Sequence, residues 1–232
     1  MLIPPALREG LWFIVPLSLL WAALMAAQNV YALAASIVVL LAIVACIGFF
    51  RDPERRIPPE PQLILSAADG LVTDVEKLEE GPFDLGPCWR VSVFLSVFDV
   101  HVNRAPVAGE VLRSEHRPGQ FLDVRHPDAA ARNERQTWLL RTPDGQEIAV
   151  RQIAGLVARR IVPWAKVGDS LERGERFGMI RFGSRTDVFL PLDCEITVRV
   201  GDRVHGASSA VAIWPALENL EAPEEVLLET VS

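Results

Sequence analysis

The stretch RFGSRTDVFLP, residues 181–191, determines how the rest of this chain is interpreted. Its second half, residues 188–190, is an apolar run that predicts a strand. A Gly–Ser peptide bond precedes that strand. Gly183 has no Cβ, so its backbone can adopt strained conformations and its carbonyl stays open to approach. The hydroxyl of Ser184 is close enough in sequence to attack that carbonyl and form an ester. Because Gly-Ser is also a common turn dipeptide, this chemistry needs support from other parts of the chain.

Composition restricts the function classes. The chain has 232 residues, enough for one globular domain and an additional segment, and a formal net charge of −7. That charge argues against nucleic acid as a partner and against broad electrostatic adhesion to an anionic membrane. The cysteines are too scattered for a disulfide framework or a Cys-x-x-Cys metal site, which favours a reducing compartment and predicts no metal centre. They are Cys46, Cys88 and Cys194.

Residues 1–56 are predicted to form a membrane-anchoring hairpin. The apolar runs 11–27 and 30–50 are separated by a short polar break. The second run has the length of a membrane-spanning helix, and the first is slightly short. A cleaved signal peptide is the alternative for the first run, and it is disfavoured because the second run begins at once. By the positive-inside rule, four arginines place both ends of the pair, and the soluble part, on the cytoplasmic side of the cell (inner) membrane. They are Arg8, Arg51, Arg55 and Arg56.

The next segment, residues 57–217, predicts a mainly β domain that follows a stiff proline-rich linker. Short apolar or alternating runs recur at close spacing between Gly, Asp and Pro, which is typical of β-sandwiches and barrels. Strands are predicted at residues 63–65, 71–75, 90–97, 99–103, 106–112, 136–140, 147–152 and 188–200, with an interruption at Pro191.

The remaining predictions for this domain concern helices, turns and the tail. Short helices are expected only at residues 129–135 and 154–162, and residues 218–232 are expected to be an acidic, solvated tail. The spacing of turn residues in 167–180 is typical of a barrel-sandwich hybrid, the fold that lipoyl and biotinyl carrier domains also have. A carrier role is disfavoured, because those domains hold their cofactor on a lysine at a hairpin tip and Lys166 is the only lysine nearby.

Five pieces of the sequence, taken together and in order, resemble the phosphatidylserine decarboxylase family, in particular its short bacterial and archaeal form. They are FFRDPER at residues 49–55, ADG at 68–70, FLSVFDVHVNRAP at 94–106, ARNER at 131–135 and FGSRTD at 182–187. Each piece alone is weak. Their order, and the apolar segment that precedes them, make the set specific over about residues 49–200.

The resemblance implies an inactive precursor that cuts itself between residues 183 and 184. An ester forms by an acyl shift, β-elimination follows, and the resulting dehydroalanine hydrolyses to a pyruvoyl group and ammonia. Residues 1–183 would become the large β subunit. Residues 184–232 would become the small α subunit, with the pyruvoyl group from Ser184 at its amino terminus. In this family the pyruvoyl group forms a Schiff base with phosphatidylserine and withdraws electrons as CO2 leaves, which yields phosphatidylethanolamine.

His101 is the base and acid that we assign to this chemistry, because imidazole changes charge near neutrality. The resemblance selects Asp69 as the acidic residue that orients it. Asp99 is the local rival, because residues two apart on a strand point to the same side. Longer relatives have a second His where this chain has Arg104, so His101 must serve both self-cleavage and decarboxylation or another base must be recruited. The other histidines lie in loops and are predicted at the surface: His116, His126 and His205.

Two other functions stay open at this point. A membrane-anchored serine hydrolase would use Ser184, His101 and an Asp, although the Gly-x-Ser-x-Gly elbow is absent. A non-enzymatic membrane-anchored β-sandwich adaptor would need no ionisable cluster. For the decarboxylase, the hairpin favours a lipid amine over a soluble amino acid, and a homo-oligomer is compatible with the sequence. Guanidinium groups suit phosphate and carboxylate. Three candidates could bind the head group or equally lie on a solvated face: Arg90, Arg132 and Arg135.

Overall fold

The structure, a computed structural model, describes residues 3–126, 128–156, 160–181 and 183–215. The helices in these residues are α1 (Pro5–Ala26), α2 (Val30–Phe49) and α3 (Ala129–Arg132), with a 3-10 turn at Pro82–Asp84. The strands are β1 (Leu63–Leu65), β2 (Gly70–Leu78), β3 (Cys88–Leu95), β4 (Val102–Arg104), β5 (Gly109–Arg117), β6 (Arg135–Arg141), β7 (Glu147–Ala154), β8 (Ile161–Pro163), β9 (Ser170–Leu171), β10 (Arg176–Ile180), β11 (Ser184–Pro191), β12 (Glu195–Ile196), β13 (Arg203–Val204) and β14 (Ala210–Ile213).

The two N-terminal helices are each long and apolar enough to cross a membrane by length and composition. Helix α2 begins sharply because the side chain of Asn29 caps it, accepting a hydrogen bond of 2.9 Å from the amide of Ala32. The helices pack closely at the end where α2 stops. A Cβ added to Gly10 would lie 2.9 Å from the ring of Phe50. The pair of apolar helices expected from the sequence is present.

The β strands form three antiparallel sheets. The large one has eight strands in the order β13-β2-β3-β11-β7-β6-β5-β9, and the small ones have the orders β4-β10-β8 and β1-β14-β12. Strand β11 lies in the interior of the large sheet, between β3 and β7, and its residues 184–190 are all buried. The large sheet is curled and encloses an apolar core that includes Trp138 and Phe177. The mainly β, barrel-sandwich-like fold class is confirmed.

The helix predictions for the β domain are only partly correct. The helix expected at 129–135 is shorter, because Arg135 already begins β6. The helix expected at 154–162 is wrong at both ends, since Ala154 ends β7 and Ile161 begins β8. Residues 157–159 and the tail at 218–232 lie outside the described residues. Ladder pairing explains the error: Ala154 pairs with Ser184 and Ile161 with Ile180, and such tertiary pairing overrides local helix propensity.

The linker after α2 is fastened to the β domain by a buried carboxylate. The side chain of Asp52 is 1% exposed and binds Arg104 of β4 at 2.7 Å and also Arg176 of β10. Arg104 donates further hydrogen bonds to the carbonyls of Gly174 and Pro53, each at 3.1 Å. One carboxylate therefore joins the linker to two neighbouring strands of a small sheet.

Replacing this carboxylate should destabilise the domain. We expect Asp52→Asn to lower the free energy of unfolding by about 3–5 kcal/mol, because it leaves the buried Arg104 without its charge partner. The measurement is thermal and denaturant unfolding in a Ser184→Ala background, so that the self-cleavage expected from the resemblance would not divide the samples. Asp128→Asn is the control, since its pairing with Arg132 is exposed and should change little. Equal stability of the two variants would contradict the role given to Asp52.

Candidate active site

The Gly–Ser peptide lies where the backbone enters the central strand. Gly183 has a φ of +69°, in the left-handed region that side chains disfavour, and Ser184 is the first residue of β11. Ser184 pairs with Leu95 of β3 on one side and with Ala154 of β7 on the other. The scissile peptide bond therefore follows a residue in a left-handed conformation and precedes a residue whose backbone is paired with two neighbouring strands. Phe182, the preceding residue, lies outside the described residues.

The hydroxyl of Ser184 is buried and unpaired. Ser184 is 0% exposed, and its Oγ has no hydrogen-bond partner in the described part of the chain. A buried polar group without a partner costs roughly 1–3 kcal/mol. Such a cost is frequently retained at functional sites. Among the described residues, no hydrogen-bond donor or acceptor therefore competes for the hydroxyl beside its own peptide bond.

The carbonyl of Gly183 lies against the backbone of Gly155. A Cβ added to Gly155 would come within 2.5 Å of that carbonyl oxygen, so only glycine fits there in this arrangement. Gly155 directly follows β7, the strand that pairs with Ser184. Sequence reasoning missed this residue. Gly155 falls inside the helix expected at 154–162, and its only signal was a glycine a few residues after the predicted strand 147–152.

His101 also contacts the backbone of Gly183. The amide of Gly183 donates a hydrogen bond to its Nε2 at 3.2 Å, and its Nδ1 lies 2.9 Å from the carbonyl oxygen of Asp99. Because a carbonyl only accepts, the proton belongs on Nδ1, which leaves Nε2 as the acceptor. Both contacts therefore suit one neutral tautomer. The basic nitrogen points at the Gly183–Ser184 segment.

The surroundings of His101 keep it neutral. Burial lowers its pKa from 6.5 to about 4, against the opposing effects of the Asp99 carbonyl and the charges of Asp99 and Asp69, while the charge of Arg51 lowers the pKa further. The aromatic ring of Phe49 covers the imidazole, with ring centroids 4.3 Å apart. The side chain is thus an unprotonated base across the neutral pH range.

The carboxylates of Asp69 and Asp99 are the two candidates from the sequence for orienting His101, but both bind other partners. Both oxygens of Asp69 accept from Arg55, at 2.9 and 2.8 Å, and the carboxylate also contacts the amide of Gly206 at 2.9 Å and Nδ1 of His205 at 3.3 Å. The charge of Asp69 still acts on His101, but the group that hydrogen-bonds the imidazole is the Asp99 carbonyl. The Asp99 carboxylate is directed elsewhere, to Ser96 and Arg203.

The other histidines and the three arginines considered for the head group lie elsewhere, and within the described residues none of their side chains has a hydrogen bond or ion pair with the Gly183–Ser184 segment. His116, His126 and His205 are exposed, as expected, although His205 contacts Asp69. The three arginines proposed for the head group each have a local partner in the protein: Arg90 pairs with Glu76, Arg132 with Asp128, and Arg135 with the Ala131 carbonyl.

With this geometry established, comparison with known proteins is informative. Residues 44–212 match the model of the family described as phosphatidylserine decarboxylase. The chain belongs to the phosphatidylserine decarboxylase family. A relative from Symbiobacterium thermophilum is 53% identical over 167 residues, 72% of this chain and 78% of the relative. One from Syntrophus aciditrophicus is 44% identical over 210 residues, 89% and 96% of the two chains. Both relatives are named phosphatidylserine decarboxylase proenzyme.

Arg104 does not replace the second histidine of longer phosphatidylserine decarboxylases as a base. Its guanidinium is buried and engaged with the linker through Asp52 and the Pro53 carbonyl. Although burial lowers the pKa of Arg104, an arginine with an ionic partner stays charged. Among the residues considered, His101 is therefore the one imidazole that faces the Gly183–Ser184 peptide.

A chain of buried amides supports this phosphatidylserine decarboxylase site from beneath, and sequence reasoning assigned it no role. Asn103 of β4 donates to Oγ1 of Thr186 at 3.0 Å and accepts from the Gln152 amide at 2.7 Å. Trp138 in turn donates to Oε1 of Gln152 at 3.3 Å. The chain joins β4, which follows His101, to β11, which begins at Ser184, and to β7. It links the strand that begins at Ser184 to the strand that directly follows His101.

Loss of the central amide should weaken the domain. We expect Asn103→Ala to lower the free energy of unfolding by about 1–3 kcal/mol, because Gln152 and Thr186 would lose their buried partner. Denaturant unfolding of the uncut Ser184→Ala form measures this. The exposed Gln120→Ala serves as the control with little expected change. If Asn103→Ala proves as stable as Gln120→Ala, the amide chain does not support the site.

Proposed function

We propose that the chain is a carboxy-lyase, a self-processing and pyruvoyl-dependent phosphatidylserine decarboxylase that yields phosphatidylethanolamine and CO2. The burial of Ser184 carries this proposal: in the uncut chain a 0% exposed hydroxyl can reach only its own surroundings, which include the Gly183 carbonyl. The names of the relatives supply the substrate, and the word proenzyme in those names supports processing.

Self-cleavage between Gly183 and Ser184 needs a base, and His101 is placed to act as one. Its Nε2 lies 3.2 Å from the Gly183 amide nitrogen and is unprotonated in the neutral range. The hydroxyl of Ser184 would attack the Gly183 carbonyl carbon while His101 takes its proton, which converts the peptide bond to an ester and frees the amine of Ser184. Catalysis by such a base contributes typically about 10²–10⁴-fold.

Elimination then completes the cut. Removal of the Cα proton of Ser184 expels the Gly183 carboxylate, and hydrolysis of the resulting dehydroalanine releases ammonia. The new chain start stays in place, because residues 184–191 of β11 are paired with β3 and residues 184–189 with β7. Arg185, the next residue, is fixed by Asp187 at 2.6 Å and by Ser92 at 2.8 Å. The β chain 1–183 and the α chain 184–232 would thus remain one folded unit.

The described residues fit the pyruvoyl group. It would lie at the start of β11, in the position of the unpaired Ser184 hydroxyl, between Leu95 and Ala154. Once made, the group supplies a carbonyl that captures the substrate amine and accepts electrons from the departing carboxylate. His101 would deliver to the substrate carbon a proton that it first takes up from water, because decarboxylation consumes one proton overall. Asp69 acts at longer range, by its charge on His101 and by fixing Arg55 and Gly206.

The geometry favours this function over the two alternatives. The Gly-x-Ser-x-Gly elbow of serine hydrolases is absent, and Ser184 instead begins a central strand that is paired on both sides. A hydrolase would act with Ser184 intact, and that residue is buried in the uncut chain, whereas the decarboxylase would act only after cleavage at Ser184 has changed the site. An adaptor would gain nothing from a buried unpaired hydroxyl beside a neutral histidine.

The proposal places the enzyme at a membrane surface. Helices α1 and α2 would form the anchor, and the arginines at their ends favour a catalytic domain on the cytoplasmic side of the cell (inner) membrane. A lipid amine would then reach the site without leaving the bilayer surface. The active form would contain both subunits from one precursor.

The tight approach at Gly155 gives a test of self-cleavage. We expect Gly155→Ala to slow cleavage by about a hundredfold, because the added Cβ would displace the Gly183 carbonyl and misplacements near 1 Å cost about that much. Gel analysis of newly made protein measures the rate. Gly145→Ala is the control, since nothing lies within 4 Å of its added Cβ, although its positive φ makes it a strained substitution as well. Equal cleavage of the two variants would contradict the assignment.

The activity itself is tested with phosphatidylserine in vesicles. Wild-type protein should release CO2 and form phosphatidylethanolamine, whereas Ser184→Ala should show only background. Free fatty acid as the product of the wild-type protein would instead indicate the hydrolase. Decarboxylation by Ser184→Ala at the wild-type rate would exclude a group derived from this serine.

A further inference from the structure

The end of α2 packs directly on the histidine of the site. Phe49 is the last residue of α2, it is 6% exposed, and its ring is tilted by 39° against that of His101. Phe49 belongs to an apolar cluster that also contains Val100 and Val102, the neighbours of His101 in sequence. A residue of the apolar hairpin therefore forms one wall of the base's environment.

The segment that follows α2 binds the elements around His101 one after another. Arg51 donates to the carbonyl of Phe98 at 2.5 Å, in the loop before His101. Asp52 binds Arg104 just after it, and Arg55 binds Asp69. Residues 49–55 thus line the loop, the strand and the carboxylate that surround the imidazole. This is the FFRDPER segment of the sequence.

Helix α1 contacts the segment that precedes the Gly183–Ser184 peptide. Glu9 forms an ion pair with Arg181, two residues before Gly183, and the Arg181 guanidinium lies 5.7 Å from the centroid of the Phe13 ring. The side chains of Glu9 and Arg181 are 25% and 13% exposed, so the pair is largely shielded. The chain that leads to the scissile peptide is therefore attached to the first apolar helix.

We propose that the domain-facing end of the hairpin, formed by Glu9, Phe49 and the linker to Arg55, is a positioning part of the self-cleavage site. Phe49 shields His101 from water and holds its Nε2 toward the Gly183–Ser184 peptide, and Glu9 fixes the strand that leads to that peptide. This inference rests on the proposed self-processing. It assigns the hairpin a role beyond attachment, since the base and the scissile segment are held by different helices of one pair.

The shielding by Phe49 has a consequence that depends on pH. The charged groups that act on His101 are Asp99, Asp69 and Arg51. Removing the ring would admit water and raise the pKa of His101 toward its ordinary value of 6.5. Below that value the imidazole would be protonated and unable to act as the base, whereas the wild-type base would stay neutral down to about pH 4.

The experiment follows cleavage of a newly made precursor. The full chain is synthesised briefly in a cell-free system with nanodiscs, synthesis is stopped, and samples are shifted to buffers between pH 5 and 8.5. Gel analysis then gives the cleavage rate at each pH. The samples are the wild type, Phe49→Ala, Phe49→Leu, Glu9→Gln and Tyr31→Ala. Tyr31 is the matched control, an 85% exposed aromatic residue at the opposite end of α2.

The expected result is a change of pH profile in one variant. Phe49→Ala should cleave about tenfold more slowly at pH 5.5 than at pH 8.5, since a histidine with a pKa near 6.5 is mostly protonated there. The wild type and Tyr31→Ala should change by less than about twofold over that range by the same arithmetic. Phe49→Leu, which keeps an apolar cover, should restore the wild-type profile. Glu9→Gln should be severalfold slower at every pH with an unchanged profile.

The outcomes separate this inference from the proposed function. Phe49→Ala and Glu9→Gln that both cleave like Tyr31→Ala at every pH would overturn the positioning role while self-processing stands. A wild type that is never cut would overturn the proposed function itself. If Phe49→Ala fails to give a folded precursor, Glu9→Gln decides: slower cleavage supports the role, and wild-type cleavage refutes it.

Discussion

The hydrogen bond from the Gly183 amide to Nε2 of His101 is the contact on which the account depends. It determines the tautomer, because the opposite nitrogen must then donate to the Asp99 carbonyl. It also joins two parts of the chain that are distant in sequence, the start of β11 and the loop before β4. With the imidazole buried and neutral, the contact places a base beside a peptide bond whose serine hydroxyl has no partner in the described residues. In the proposed mechanism, this arrangement prepares the site for self-cleavage before any substrate binds.

The surrounding structure can be understood as support for that contact. Strands β3 and β7 fix Ser184 from both sides, and the chain of amides from Trp138 to Thr186 ties these strands to β4. The linker after α2 contributes Asp52, which neutralises two arginines of the neighbouring small sheet. The position that carries a second histidine in longer relatives is thus used here for a structural ion pair. In the proposed mechanism, His101 therefore serves both self-cleavage and decarboxylation.

Much of the fold could be predicted from local pattern. The strands from β1 to β7 coincide with alternating or apolar runs bounded by Gly, Asp and Pro, and the apolar pair at the start forms two helices. The helix prediction for residues 154–162 failed because the ends of this segment pair with β11 and β10. Those strands are distant in sequence, so the local pattern carries no information about them. The shorter α3 has the same cause, since pairing with β7 begins at Arg135.

The site was predictable in part. Ser184 and His101 followed from the resemblance, and the structure brings them to one place. The partners of Asp69 were not predictable from the sequence. Whether its carboxylate binds His101 or Arg55 depends on the tertiary structure, which the spacing of residues along the chain does not reveal. Gly155 carried no distinctive signal and falls inside the helix expected at 154–162, whereas Phe49 opens the FFRDPER segment of the resemblance but had no role assigned to it. Their roles come from close approach to Gly183 and His101.

The most direct test of the central claim is the intact mass of the purified wild-type protein. The account predicts two fragments that divide between residues 183 and 184, with the smaller one lighter than its unmodified sequence by one ammonia. A single uncut chain with an unmodified Ser184, isolated from material that decarboxylates phosphatidylserine, would contradict it.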